Sequence, residues 1–430
     1  MSESGARRDA SESTGQVPAR PNYTQASEAP PVSPRTFEPA VLAPLTPVSW
    51  NRPPARSGSV RFRVINIVLS CVLVLITAGT LAFFAGTLGP GVFLICGALA
   101  LVPLGICLLT LFRIDRWEPE PKTAVLFAFC WGAGMSVAAA LVLGGWVKPV
   151  LMANTFIGDP DTVSSILQAP LVEELCKGTG VLLIFLLRRR TFDGPLDGVI
   201  YGGMVGAGFA FTENILYFGS AMAQTHEVGR ELFATFLVRG LMSPFAHVMF
   251  TATMGAILGY AARRGSTALA LLSWLAGLIP AMGLHALWNS SSLISSNFFA
   301  AYALLQVPVF LLFATGVLLL GISETRLTRR RLADYVGPGW FVAEEALMLG
   351  TAGGRRRALA WAGSFGAKKA MRDFIALATR LAFTRQRILF RPQSLQLQQD
   401  ELALLHQLAA ARAGLQRSAA LRRNSATPRS

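Results

Sequence analysis

Eight apolar runs of 22 to 25 residues dominate the chain, at 64–86, 91–112, 123–147, 163–187, 197–219, 241–262, 267–290 and 299–322. At about 1.5 Å per residue, each run is long enough for a hydrocarbon core of roughly 30 Å. Lipid offers no partner to a peptide N–H or C=O, so runs of this kind must close their own hydrogen bonds as helices. The fold class expected is therefore all-α: a polytopic membrane helix bundle of about eight transmembrane helices.

Charges between the runs give an orientation. Arg113, Arg116 and Lys122 fall in the second loop, Arg188 to Arg190 in the fourth, and Arg263 and Arg264 in the sixth. The alternate loops are poorer: none in the first and seventh, Lys148 in the third, Arg230 and Arg239 in the fifth. Basic loops stay in the cytoplasm, which puts both termini there. From Ser323 onward, 19 Lys and Arg stand against 7 Asp and Glu, a net +12 out of +15 for the whole chain.

Three regions follow. Residues 1–60, rich in Pro, Ser, Ala and Arg, read as a disordered tail. Residues 61–322 form the membrane domain; the first run follows Arg61 and Arg63 as an anchor rather than a signal peptide. Residues 323–430 read as a basic, partly helical cytoplasmic region, with helix-like spacing over 365–390 and 398–422. Its basic side chains suit lipid headgroups, and no specific nucleic-acid partner is expected. All five cysteines lie in apolar runs, which argues against a disulfide framework or a zinc knuckle.

The runs are not uniformly apolar. The fourth contains Glu173, Glu174 and Lys177, and a charge at bilayer depth costs at least about 2.5 kcal/mol. Spacings of four and three let Lys177 offset both acids on one helix. Pro170 has no N–H to donate, so the helix should kink or begin just before the acids, where water can enter. Cys176 points away and reads as packing. In the fifth run, Gly202, Gly203, Gly206 and Gly208 suit close helix packing and precede Glu213 and Asn214. His247 lies in the sixth run, and His285 and Asn289 share one face of the seventh. Counted from the outer ends, Glu173, Glu213, His247 and His285 lie at roughly 8–15 Å depth, at about 1.5 Å per residue. A shared, water-accessible site requires such a common level. His226 and His406 look incidental.

Carboxylates that activate water, imidazoles that bind a metal or hold an oxyanion, and amides that donate hydrogen bonds suit hydrolysis of an amide. Ser243 lacks the surroundings of a nucleophile. If zinc binds, His247, His285 and Glu213 form a two-histidine, one-carboxylate set with Glu173 or Glu174 as base. In a metal-free version, glutamate activates the water and the histidines hold the oxyanion; both remain open. A proton-coupled transporter using buried Glu and His as a relay, or a noncatalytic membrane scaffold, are the alternative classes.

These residues resemble the PrsW intramembrane proteases, distant relatives of the CAAX prenyl-protease and bacteriocin-processing group. The resemblance rests on Glu173-Glu174-Leu175-Cys176-Lys177 for the family's EExxK, Phe209 to Asn214 for its FxxxEN, His247, and His285 with Trp288 and Asn289. The acidic, proline-containing loop at 115–121 is similar too. The likeness covers about residues 65–322, and the tail to about 415 looks like that of actinobacterial members. It implies an endopeptidase of the bacterial cytoplasmic membrane, acting on membrane-tethered proteins such as anti-sigma factors. Glu173, Glu174, Glu213, His247 and His285 would be catalytic or metal-binding, with Lys177, Asn214 and Asn289 in support.

Overall fold

A computed structural model describes residues 60–426, apart from 118, 156–158, 190–191, 193, 226–228, 265 and 295–296. The disordered tail expected for 1–60 and the expected exterior loop at His226 therefore lie outside the described residues, Val60 excepted. Among the described residues the chain is helical throughout, with no strand.

The membrane domain holds eight long helical segments, one for each apolar run. They are α1 (Val60–Leu88), α2 (Pro90–Ile114), α3 (Lys122–Asn154), α4 (Ala169–Leu187), α5 (Pro195–Thr225), α6 (Arg230–Ala262), α7 (Thr267–Ile294) and α8 (Phe298–Ala333). Seven are both long and apolar enough to cross a membrane. The other, α4, has the length of a span with its preceding turn but carries Glu173, Glu174 and Lys177. Outward faces of α1, α2 and α8 expose Leu75, Leu94, Leu109 and Leu312, as lipid-facing helices should.

Helix α5 lies at the centre, with 78% of its most apolar window buried, against 11% for α1 and α8. Small residues put it there. A Cβ on Gly198 would lie 1.9 Å from the Gly255 carbonyl oxygen, and one on Gly206 would lie 2.3 Å from that of His247. Only hydrogen fits at these crossings, so the glycine run brings the backbones of α5 and α6 into contact. Around it pack Leu111, Ile184, Phe185, Tyr201, Met204, Leu258 and Leu278.

The two largest departures from the expected bounds are in α6 and α8. Helix α6 begins at Arg230, not 241, because Phe236–Met242 continues it as a π-helical turn, before a break at 243–245. Helix α8 continues to Ala333, past 322, as a charged stem. There the Arg263 guanidinium donates to Glu324 at 2.8 Å and the Leu196 N–H donates to it at 3.3 Å, so polar partners replace lipid.

Beyond the stem lie α9 (Ala343–Leu349), α10 (Ala352–Gly363), α11 (Lys368–Phe390) and α12 (Leu395–Ala426). The last two coincide with the helical spacing at 365–390 and 398–422. Helix α11 buries Met371, Phe374, Ile375, Ala378, Leu381 and Ala382, a single stripe at spacings of three and four.

Candidate active site

The local fold just before α4 makes room for a site. Val163–Gln168 forms a π-helical turn in which the Ala169 N–H reaches back five residues to the Ser164 carbonyl. Pro170 follows with no N–H, so the Ser165 carbonyl loses the donor that this pattern would supply. Asn289 on α7 fills that role, donating from Nδ2 to the Ser165 carbonyl at 2.7 Å. The sequence-predicted irregularity at Pro170 is thus a widened turn held by Asn289.

One turn further, Glu174 is the hub of a buried cluster. Lys177 Nζ donates to its Oε1 at 2.6 Å and the Thr251 hydroxyl donates to its Oε2 at 3.1 Å. His285 Nδ1 lies 2.9 Å from Oε1. A carboxylate that receives an ammonium and a hydroxyl is ionised and only accepts, which assigns the His285 proton to Nδ1. Nε2 is then the ring nitrogen that can offer a lone pair. Phe250 stacks on that ring, with centroids 5.0 Å apart, and fixes its plane.

Glu173 is held less tightly. Its Oε2 is 3.4 Å from Lys177 Nζ and 3.9 Å from His285 Nε2, and its side chain is 15% exposed, where Glu174 is 1% and Lys177 0% exposed. It lines a cavity of about 520 Å³, together with Glu213, Arg239, His247, His285 and Asn289.

His247 connects the two sides. Its Nδ1 accepts from Lys177 at 3.0 Å, and its Nε2 donates to Glu213 Oε2 at 2.6 Å. Its ring stands perpendicular to that of His285, centroids 5.2 Å apart. Lys177 also sits 4.0 Å over the Phe209 ring, so the first residue of Phe209-x-x-x-Glu213-Asn214 helps to neutralise a buried cation.

Glu213 is shared with a residue the sequence did not single out. Arg239 donates from Nη2 to Glu213 at 2.5 Å and from Nε to the Asn214 carbonyl oxygen at 3.2 Å, and it stacks 3.7 Å from the Tyr217 ring. The spacing of the apolar runs alone places it in the fifth loop. The available signal was an arginine flanked by Phe236-Leu237-Val238 and Leu241-Met242, too apolar for a loop. Thr251 gave no such signal, since a lone threonine is ordinary in a membrane helix.

Glu173, His247 and His285 bring one ligand atom each to within 4.8 Å of one another. One carboxylate and two imidazoles are a common zinc donor set. His285 fits it well, because Glu174 accepts at Nδ1 and leaves Nε2 for a metal, the usual arrangement behind a ligating histidine. Glu213, expected as the carboxylate ligand, lines the same cavity, with its Oε2 2.6 Å from His247 Nε2 and 2.5 Å from Arg239 Nη2.

Residues 120–313 match the family described as PrsW family intramembrane metalloprotease. Proteins named Protease PrsW from three bacteria are similar to this chain. The one from Geobacillus kaustophilus (strain HTA426) is 32% identical over 158 residues, 36% of this chain and 63% of its own. That from Clostridioides difficile (strain 630) is 33% identical over 160 residues, 36% of this chain and 62% of its own. That from Bacillus subtilis (strain 168) is 30% identical over 209 residues, 48% of this chain and 86% of its own. The chain thus spans somewhat under two thirds of the length of the first two. No solved structure matches it significantly.

Proposed function

As the chain belongs to the PrsW family of intramembrane proteases, we propose that it is an endopeptidase that cleaves membrane-tethered proteins within the bilayer. Single-span regulators such as anti-sigma factors are the substrate class. The observation that carries this reading is the meeting of Glu173, His247 and His285 in one cavity, from three helices far apart in sequence.

Roles follow from the contacts. Glu173 is the acid that faces the cavity and accepts the proton of the attacking water. Glu174 receives no water-facing role; it orients His285 and offsets Lys177. Arg239, which lines the cavity, supplies fixed positive charge for the oxyanion that develops on the scissile carbonyl, while Lys177 is spent on Glu174, Glu173 and His247. A zinc-class ion held by Glu173, His247 and His285 would supply Lewis acidity toward that carbonyl, and to bind it His247 would have to give up its contact with Lys177 or with Glu213 and so free a lone pair. With Glu173 so engaged, Glu213 is the next carboxylate lining the same cavity. The excess of basic residues in alternate loops and the tail supports a cytoplasmic location for both termini, in the bacterial cytoplasmic membrane.

The test uses the full-length protein in detergent with a labelled single-span substrate. The wild type should hydrolyse it, and His247→Ala and His285→Ala should each abolish hydrolysis. Loss of activity on chelation, restored by zinc, assigns the ion; activity untouched by chelation leaves Glu173 to act without it. Substrate bound but uncut at every metal content would refute the reading.

A further inference from the structure

Where the stem of α8 passes the end of α2 and meets α10, the described residues enclose a second cavity, of about 870 Å³. Six arginines line it: Arg113 in the last turn of α2, Arg116 just after it, Arg326 and Arg329 on the stem, Arg355 and Arg356 on α10. One carboxylate, Glu324, also lines it, and that group already takes hydrogen bonds from Arg263 and the Leu196 N–H. Arg355 is engaged as well, donating to the Leu349 carbonyl and the Thr379 hydroxyl. Among the described residues, the side chains of Arg113, Arg326, Arg329 and Arg356 take part in no hydrogen bond or ion pair. A smaller cavity of about 340 Å³ shares Arg116 and Arg356 and adds Lys368 and Arg372.

Guanidinium groups gathered around one concavity repel each other, more so beside low-dielectric helices than in water. The arrangement is relieved by an anion that accepts several planar forks at once, and phosphate oxygens do so bidentately. The lining is also apolar in part: Val317, Leu318 and Ile322 of α8 contribute to it, and Leu318 and Ile322 are 68% and 47% exposed on a helix apolar enough to span a membrane. The cavity therefore has a basic part and an apolar part. A free anion would use the basic part only; a lipid uses both.

We propose that this cavity binds an anionic glycerophospholipid, with its phosphate on Arg113, Arg326 and Arg356 and its glycerol and first acyl methylenes along Val317, Leu318 and Ile322. The bound lipid would join three elements that carry like charge, so it would tie the tail to the bundle.

Full-length protein in dodecyl maltoside is titrated with dioleoyl phosphatidylglycerol, with dioleoyl phosphatidylcholine and with inorganic phosphate, and the midpoint of thermal unfolding is followed. The anionic lipid alone should raise the midpoint, and saturably. Removing one surface arginine weakens anionic-lipid binding about fivefold, so R113Q/R326Q/R356Q should need about a hundredfold more lipid for the same rise. Should the triple variant fail to fold, R326Q alone should shift the titration about fivefold. An equal rise with phosphatidylcholine, an unshifted titration in the variants, or the same rise with inorganic phosphate would each overturn the proposal; the last would assign a free phosphate site instead.

Discussion

Two of the places where the molecule buries charge are built differently. In the tail, Arg412 donates to both oxygens of Glu345, at 3.0 and 2.6 Å, and to the Trp340 carbonyl at 2.9 Å. The Phe341 and Phe374 rings lie beside its guanidinium at 5.2 and 5.8 Å. The planar fork meets its planar partner, which is the geometry of a structural pair. In the bundle, Glu174 is equally well satisfied, yet the adjacent Glu173 is left with contacts of 3.4 and 3.9 Å and an open cavity. A charge closed on all sides holds helices together, and one with a free side is available for chemistry. Two neighbouring acids of α4 thus belong to different categories, and Glu174 has more in common with Glu345 than with Glu173.

The sharpest way to break this comparison is Glu174→Gln. Removal of one partner from a buried pair leaves Lys177 undercompensated and costs roughly 3–5 kcal/mol. The substitution also frees His285 to turn, so cleavage should fall together with the unfolding midpoint. A stable variant would remove Glu174 from the structural class. In the tail, Arg412→Ala alone should cost a similar roughly 3–5 kcal/mol, whereas Arg412→Met with Glu345→Leu should be close to neutral or more stable. Both should leave cleavage rates per folded molecule unchanged, as checked by activity normalised to the folded fraction.

Smaller effects refine the picture. Asn289→Ala orphans the Ser165 carbonyl at the widened turn, at a cost of about 0.6–2 kcal/mol, the range for interhelical hydrogen bonds in membranes. Restoration of a donor in Asn289→Gln should recover part of the loss. A pH-dependent effect belongs to Asp115, just beyond the end of α2. Burial pushes its carboxyl up to about 7, partly opposed by the Glu120 N–H, which donates to both of its oxygens. The folded state therefore holds a proton that the unfolded chain releases nearer 3.8. Its contribution to stability is complete below that value and is lost as pH rises through about 7. Asp115→Asn should flatten this fall in a series of unfolding midpoints from pH 4 to 8.

Much of this was legible in the sequence, for definite reasons. The eight segments follow from apolar length, since lipid leaves a long apolar run little choice but helix. Glu173, Glu213, His247 and His285 could be placed at one level by counting residues, and they do line one cavity. Which acid does what was not legible. Glu173 and Glu174 differ by one position, about 100° around a helix, and their roles depend on Thr251 and His285, which arrive from other helices. A span beginning at 241 leaves Arg239 in a loop, whereas the apolar residues on both sides of it belong to the π-helical turn that carries it inward. Asn289, expected in support of the site, lines the cavity and donates from Nδ2 to the Ser165 carbonyl beside it.

Glu173→Gln in the full-length protein tests the account most directly, with cleavage of a single-span substrate and the unfolding midpoint measured on the same preparation. The account predicts that cleavage falls by at least about a hundredfold while the midpoint stays within a degree or so of wild type. Retained cleavage, or a loss that merely follows a collapse of the midpoint, would contradict it.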